Sequence, residues 1–292
     1  MEHSYVSQAV QFLFAGLSTG SIYALVALGF NIIYNVNLLV NLAQGEFVML
    51  GALTMISLYA RGLPLGLAFG VTTLVVGVVG ILFDRLAIRP LKRPSIMLMI
   101  LLTLGASTFF KGLALVAWGK DPYTAPTFSK TQSISVLNAT FSTQTLWVIG
   151  TLIVVYVLLQ LFLDRTIVGK AMKACSENPR AAGLMGINVK RYIMISFFLS
   201  GAIGAVGGMV VSPISFMVYD EGTMLGLKGF ASAVLGGVGS YPGAVVGGLV
   251  LGLLESFSTG YISSIFKDIL AFLALLIILI LKPSGLLRRR ED

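Results

Sequence analysis

Apolar residues run along this chain in blocks too long and too unbroken for a water-soluble fold. Val10 to Tyr34 opens the series. Val36 to Ala60, Leu65 to Phe83, Ile96 to Trp118, Leu146 to Leu163, Tyr192 to Tyr219, Pro242 to Phe257 and Phe266 to Leu281 follow. Most approach or exceed the roughly 20 residues that carry an α-helix across a bilayer. None shows the apolar/polar alternation, in units of about 10 residues, of a membrane β-barrel. The pattern predicts an all-α, polytopic membrane protein with about eight transmembrane segments. Two stretches break the pattern. Val36 to Ala60 holds Asn37, Asn41, Gln44, Gly45 and Glu46 within an otherwise apolar run, and Asp220 to Tyr241 is half apolar, glycine-rich and holds Lys228. An interrupted segment in corresponding places of two loosely repeated halves points to broken or re-entrant helices around a transport site.

Charge fixes the sidedness. The chain has 292 residues, 57% of them hydrophobic and 11% charged, against about a quarter charged in soluble domains. The net charge is +8, and four, six and four of the 20 basic residues fall in Arg85 to Arg93, Arg165 to Arg191 and Lys282 to Arg290. Basic clusters beside spans mark cytoplasmic loops. Lys120 to Thr145, rich in Ser and Thr, reads as external. Eight spans, or six spans plus two re-entrant excursions, both satisfy this sidedness. The basic clusters carry no interleaved aromatic platform, so nucleic acid is excluded as a partner; lipid headgroups are expected beside them. Cys175 is the only cysteine, so no intrachain disulfide can form.

Asn37, Asn41 and Gln44 are spaced i, i+4 and i+7 and would share one face of a continuous helix, with Asn31 and Asn35 extending the seam. Gly45 would loosen that helix, and Glu46 would add a carboxylate. An ionisable group inside a span costs about 2.5 kcal/mol or more and usually faces a protein interior or a watery cavity. The face therefore lines a passage or forms an internal hydrogen-bond cluster that locks helices together. Lys228 is a further pathway candidate, although a helix-end position would also explain it. Glu255 reads as an interfacial cap or a snorkelling acid. Gly16/Gly20, Gly204/Gly208, Gly243/Gly247 and Gly248/Gly252 have the spacing that lets helix backbones approach.

Catalytic motifs fail on context. GLSTG, from Gly16 to Gly20, fits the G-x-S-x-G pattern, but it starts a membrane helix and the only histidine is His3. There is no phosphate-binding G-x-x-x-x-G-K-[ST] loop. One Cys and one His exclude a zinc site of the usual spacing. The chain reads as a transporter rather than an enzyme, with no catalytic residue, no metal and no cofactor of its own.

Four stretches carry a family resemblance: NLAQGEFVMLGA (Asn41 to Ala52), GKAMKACSENPRAAGLMGINV (Gly169 to Val189), LKGFASAVLGGVGSYPGAVVGGLVLGLLES (Leu227 to Ser256) and KPSGLL (Lys282 to Leu287). In this order they resemble the permease subunits of branched-chain amino acid ABC importers, most closely the shorter of the two permeases. The resemblance spans nearly the whole chain and implies one permease domain over residues 1–292 in a bacterial inner membrane. It implies a second permease, two cytoplasmic ATPases that bind the ATP, and a periplasmic binding protein. It also implies that the loop 164–191 couples to the ATPase through a short helix with an E-A-A-x-x-x-G pattern. Gly169, Arg180, Ala181, Ala182, Gly183 and Gly186 are the residues concerned; Arg180 stands where the pattern has an acid. Pro179 suits a helix start, the alanines allow close docking, and Gly186 suits a stop. A self-contained channel or secondary carrier for small polar solutes such as urea or amides is the alternative.

Overall fold

The computed structural model describes residues 2–91, 95–129, 133–136, 139–262, 267–282 and 285–287. Parts of the first and last basic segments, residues 92–94, 283–284 and 288–292, lie outside the described residues. The helices are α1 (Glu2–Asn37), α2 (Gln44–Ala60), α3 (Leu65–Phe83), α4 (Ile96–Trp118), α5 (Thr143–Arg165), α6 (Ile167–Glu177), α7 (Pro179–Leu184), α8 (Val189–Val211), α9 (Glu221–Gly236), α10 (Tyr241–Tyr261) and α11 (Lys267–Leu281). A π-helical turn, Asp84–Ile88, extends α3. Among the described residues, six helical stretches are long and apolar enough to span a bilayer: Ser7–Asn37, Leu65–Ile88, Ile96–Trp118, Thr143–Arg165, Val189–Val211 and Tyr241–Tyr261. Helices α2 and α9, with 17 and 16 residues, are shorter.

Polar side chains start several of these helices. Ser95, Ser142, Thr166, Asn178, Asn188 and Ser240 each accept a hydrogen bond from a backbone N–H of the following turn. Such caps satisfy donors that the helix leaves open.

Helix α1 is the axis of the bundle. It packs most extensively on α10 and also meets α8 and α9, while α8 lies against α2 and α3. The predicted small-residue spacings make these approaches. A Cβ on Gly20 would lie 2.8 Å from the Gly248 carbonyl oxygen, and one on Gly16 would lie 2.9 Å from the Leu253 backbone. Gly208 packs on the backbone at Val48 in the same way. Four aromatic rings, Phe47, Phe83, Phe110 and Phe197, join α2, α3, α4 and α8, with centroids 5.6 Å apart for Phe83–Phe197 and 5.9 Å for Phe83–Phe110. Helix α4 is largely outside the core; Thr103, Ser107, Phe110 and Ala114 form its buried stripe.

Between α4 and α5 lies an antiparallel hairpin, β1 (Ser133–Val136) with β2 (Ala139–Ser142), paired Ser133 to Ser142. The hairpin rests on α1 through the Phe141 ring, stacked 4.1 Å from Phe14. The polar seam, in turn, is not one continuous helical face. Helix α1 stops at Asn37 and α2 begins at Gln44. Leu38 takes a left-handed backbone (φ 51°), and the Asn41 side chain accepts the Ala43 N–H at 3.2 Å. An Asn that bonds its own backbone two residues on builds a turn rather than a helix. The break therefore falls before Gly45.

Candidate functional site

The broken segment carries its polar groups into the centre of the bundle. Gln44, at the start of α2, is fully buried. Its amide Nε2 donates to the Ser200 carbonyl at 3.2 Å. The Ser200 hydroxyl lies 2.5 Å from Gln44 Oε1 and 2.8 Å from the Gly29 carbonyl oxygen, so a single proton serves one acceptor at a time. Glu46 is one turn start away and also buried. Its Oε1 accepts from Ser107 of α4 at 2.8 Å and from Thr223 of α9 at 3.2 Å. Its Oε2 and the Asn41 Nδ2 have no hydrogen-bond partner among the described residues. A buried polar atom left unpaired is costly, and in native structures such exceptions need a reason.

Gly45 has a packing role, not the loosening one expected of it. A Cβ there would run into the Gly222 carbonyl and lie 2.6 Å from the Gly226 nitrogen. The first turns of α2 and α9 thus touch backbone to backbone, with the Glu46 carboxylate lying against Gly222. The two interrupted stretches of the sequence meet each other here.

The remaining predicted pathway residues lie elsewhere. Lys228 sits on a different face of α9 from Thr223 and Gly226. Its Nζ is 2.8 Å from Glu255 Oε1 of α10 and 5.4 Å from the ring centroid of Tyr23, whose hydroxyl donates to Glu255 Oε2 at 2.6 Å. This is a buried ion pair tying α9, α10 and α1. It answers Lys228 and Glu255 together, where the sequence reading took each alone. The signal was available: two lone opposite charges in apolar stretches of one half want each other. Asn31 and Asn35 are likewise ties. They bond the backbone of Gly239 and Ser240 at 2.9 to 3.1 Å, fastening α1 to the turn between α9 and α10. Asn37 leaves the group altogether and lines a separate cavity with Asp84 and Arg89. Ser107, Ser200 and Thr223 were not singled out, because a hydroxyl in a membrane helix usually bonds its own preceding turn and carries little signal.

The 164–191 segment forms α6 and α7. Gly169 is pressed against the backbone at Phe162 and Leu163, where a Cβ would not fit, and this folds α6 back on the end of α5. Asn178 accepts from the Arg180 and Ala181 N–H groups at 3.1 and 3.0 Å, and Pro179 opens α7 as expected. Gly186 stops the chain in a left-handed conformation, φ 83°. Ala182 is buried against the chain itself, while Arg180, Ala181 and Gly183 are exposed. The outward apolar groups are Leu184 and Met185, 90% and 83% exposed. Cys175, on the buried face of α6, is covered by the chain, and burial pushes its thiol pKa up.

A family model described as "Branched-chain amino acid transport system / permease component" matches residues 12–280. This chain belongs to that permease family. The high-affinity branched-chain amino acid transport system permease protein LivH of Escherichia coli K12 is 30% identical over 298 aligned positions, covering 97% of this chain and 96% of that protein. BraD of Pseudomonas aeruginosa, of the same description, is 31% identical and covers 99% and 97%. A solved structure, PsaBC from Streptococcus pneumoniae in complex with Fab, shares the fold with a TM-score of 0.57 at 13% identity, covering 97% of each chain. The chain is thus a multi-pass permease component of an ABC transport system, and not an enzyme.

Proposed function

We propose that this permease moves branched-chain or related amino acids from a periplasmic binding protein into the cytoplasm of a bacterium, across the inner membrane. It does so beside a second permease, powered by two ATPase subunits that hold the nucleotide; the chain itself needs no cofactor. The observation that carries the site is the meeting of α2 and α9 around Glu46, with one carboxylate oxygen shared by hydroxyls of two other helices and the other unpartnered. We read this contact as a closed polar gate. Separating α2 from α9 would release Thr223 and open the Glu46 carboxylate, still held by Ser107 of α4, toward a passing ammonium, while the Gln44 amide stays bonded to Ser200 of α8. A gate needs only weak contacts with its cargo, since the binding protein selects. Lys228 is a strut in this reading, not a pathway group.

The short helices α2 and α9 are the two broken segments. Counted with α11 and the six long helices, they give nine crossings, one more than the sequence suggested, and an external N-terminus. The α6–α7 segment, residues 164–191, is the coupling element, with Leu184 and Met185 as its apolar contact to the ATPase. A self-contained channel or carrier is the competing reading. Expression with the neighbouring ATPase and binding-protein genes, followed by purification through a tag on this chain, separates the two. Copurifying ATPase and ATP-dependent leucine uptake support the importer; uptake by this chain alone would refute it.

A further inference from the structure

The cavity at the inner end of the bundle has a composition unlike the rest of the membrane domain. It measures about 260 Å³ and is lined by Asn37, Asp84, Arg89 and Lys190 together with the apolar Ile88, Leu91, Met99 and Ile193. Pockets for drug-sized ligands run from about 300 to 1,000 Å³, so this one suits something smaller. Asp84 is fully buried. Its Oδ2 takes the Arg89 Nε–H at 2.8 Å, and its Oδ1 has no hydrogen-bond partner among the described residues. Arg89 also donates one terminal N–H to the Lys190 carbonyl at 2.9 Å, which leaves its other terminal nitrogen without a described bond. The pocket thus offers an acceptor end (the free Asp84 oxygen, the Asn37 amide oxygen), a cationic end (Arg89, Lys190) and an apolar wall. The π-helical turn Asp84–Ile88 puts Asp84 and Ile88 on this wall; such turns often occur at functional sites.

We propose that this pocket binds a small zwitterion: a primary ammonium at Asp84 and Asn37, an acidic group at Arg89 and Lys190, and a short aliphatic body against Ile88, Met99 and Ile193. Two sources carry this chemistry, a free aliphatic amino acid on the cytoplasmic side and the headgroup of phosphatidylethanolamine. The inference rests on the importer reading for its interest in amino acids, but on the pocket alone for its chemistry.

The test uses the permease with its copurified partners, without the binding protein. One arm measures equilibrium binding of radiolabelled leucine in detergent exchanged free of lipid. The other extracts and quantifies the phospholipid retained after purification from native membrane. Lys190→Glu is the test variant, because Lys190 is an exposed residue of the lining; Asn37→Leu is a second, removing the amide without a change of charge. Saturable leucine binding, weakened tenfold or more by Lys190→Glu and not competed by leucinol or 4-methylpentanoate, supports the amino acid source. Enrichment of phosphatidylethanolamine over phosphatidylglycerol, abolished by Lys190→Glu, supports the lipid source. No binding in either arm, or binding indifferent to both variants, overturns the proposal. If ATP-driven uptake persists in that case, the importer reading survives the loss of this site.

Discussion

Removing Lys228 should destabilise the protein without touching the transport step. Its ammonium lies 2.8 Å from Glu255, and the two side chains are 8% and 9% exposed. Lys228→Met deletes one charge and leaves the other buried, with the Tyr23 hydroxyl bonded to it at 2.6 Å. Breaking a buried pair from one side typically costs about 3–5 kcal/mol, because the survivor is uncompensated. Replacing both partners by neutral groups of similar shape is often close to neutral. Lys228→Met combined with Glu255→Gln keeps an acceptor for Tyr23 and removes both charges, so it should recover all but about 1 kcal/mol. Cys175 supplies the assay, being the only cysteine and buried in the folded chain. A thiol-reactive fluorophore then reports unfolding in detergent as temperature rises. The single variant should unfold about 10 °C earlier, using roughly 2–4 °C per kcal/mol, and the double variant near wild type. Transport per folded molecule should be unchanged in the double variant. A stable Lys228→Met protein that has lost transport would refute the strut and return Lys228 to the pathway.

Other outcomes follow from exposure and sidedness. Cysteine at Ser133, exposed at the start of the hairpin, should react with an impermeant maleimide in intact cells. Native Cys175 should stay unlabelled even in opened membranes at neutral pH, because it is buried and its thiol pKa is raised; reversed labelling would invert the topology. Leu184→Asp should leave the permease folded and reduce ATPase copurification severalfold, whereas full copurification with the charge in place would remove α7 from the contact.

The spans were legible because hydrocarbon demands long apolar helices, and their ends are punctuated by charge and by caps such as Ser95 and Asn188. The small-residue pairs Gly16/Gly20 and Gly248/Gly252 pointed to close backbone approaches, and the structure makes them between α1 and α10. What failed was the assumption that i, i+4 spacing implies a helix. Leu38 in a left-handed conformation and the Asn41 turn override it, and Asn37 and Glu46, from one stretch, end up in different surroundings. Partners across the bundle were also out of reach. Glu46 meets Ser107 and Thr223, 61 and 177 residues away, and no local pattern encodes those contacts. The exposure of Leu184 and Met185 and the burial of Ala182 were likewise set by how α7 packs, which the run of small residues does not encode.

The gate at Glu46 is the central claim, and reconstituted transport tests it most directly. Wild type, Glu46→Gln and Glu46→Ala would be placed in proteoliposomes with the ATPase, second permease and binding protein, and ATP-driven leucine uptake measured per folded molecule. Glu46→Gln retains an acceptor oxygen for Ser107 and Thr223 and should keep much of the uptake. Glu46→Ala loses both hydroxyl partners at once and should lose uptake tenfold or more while the assembled complex remains intact. Uptake per folded Glu46→Ala molecule equal to wild type, with only its thermal stability reduced, would show that the cluster is structural glue and contradict the account.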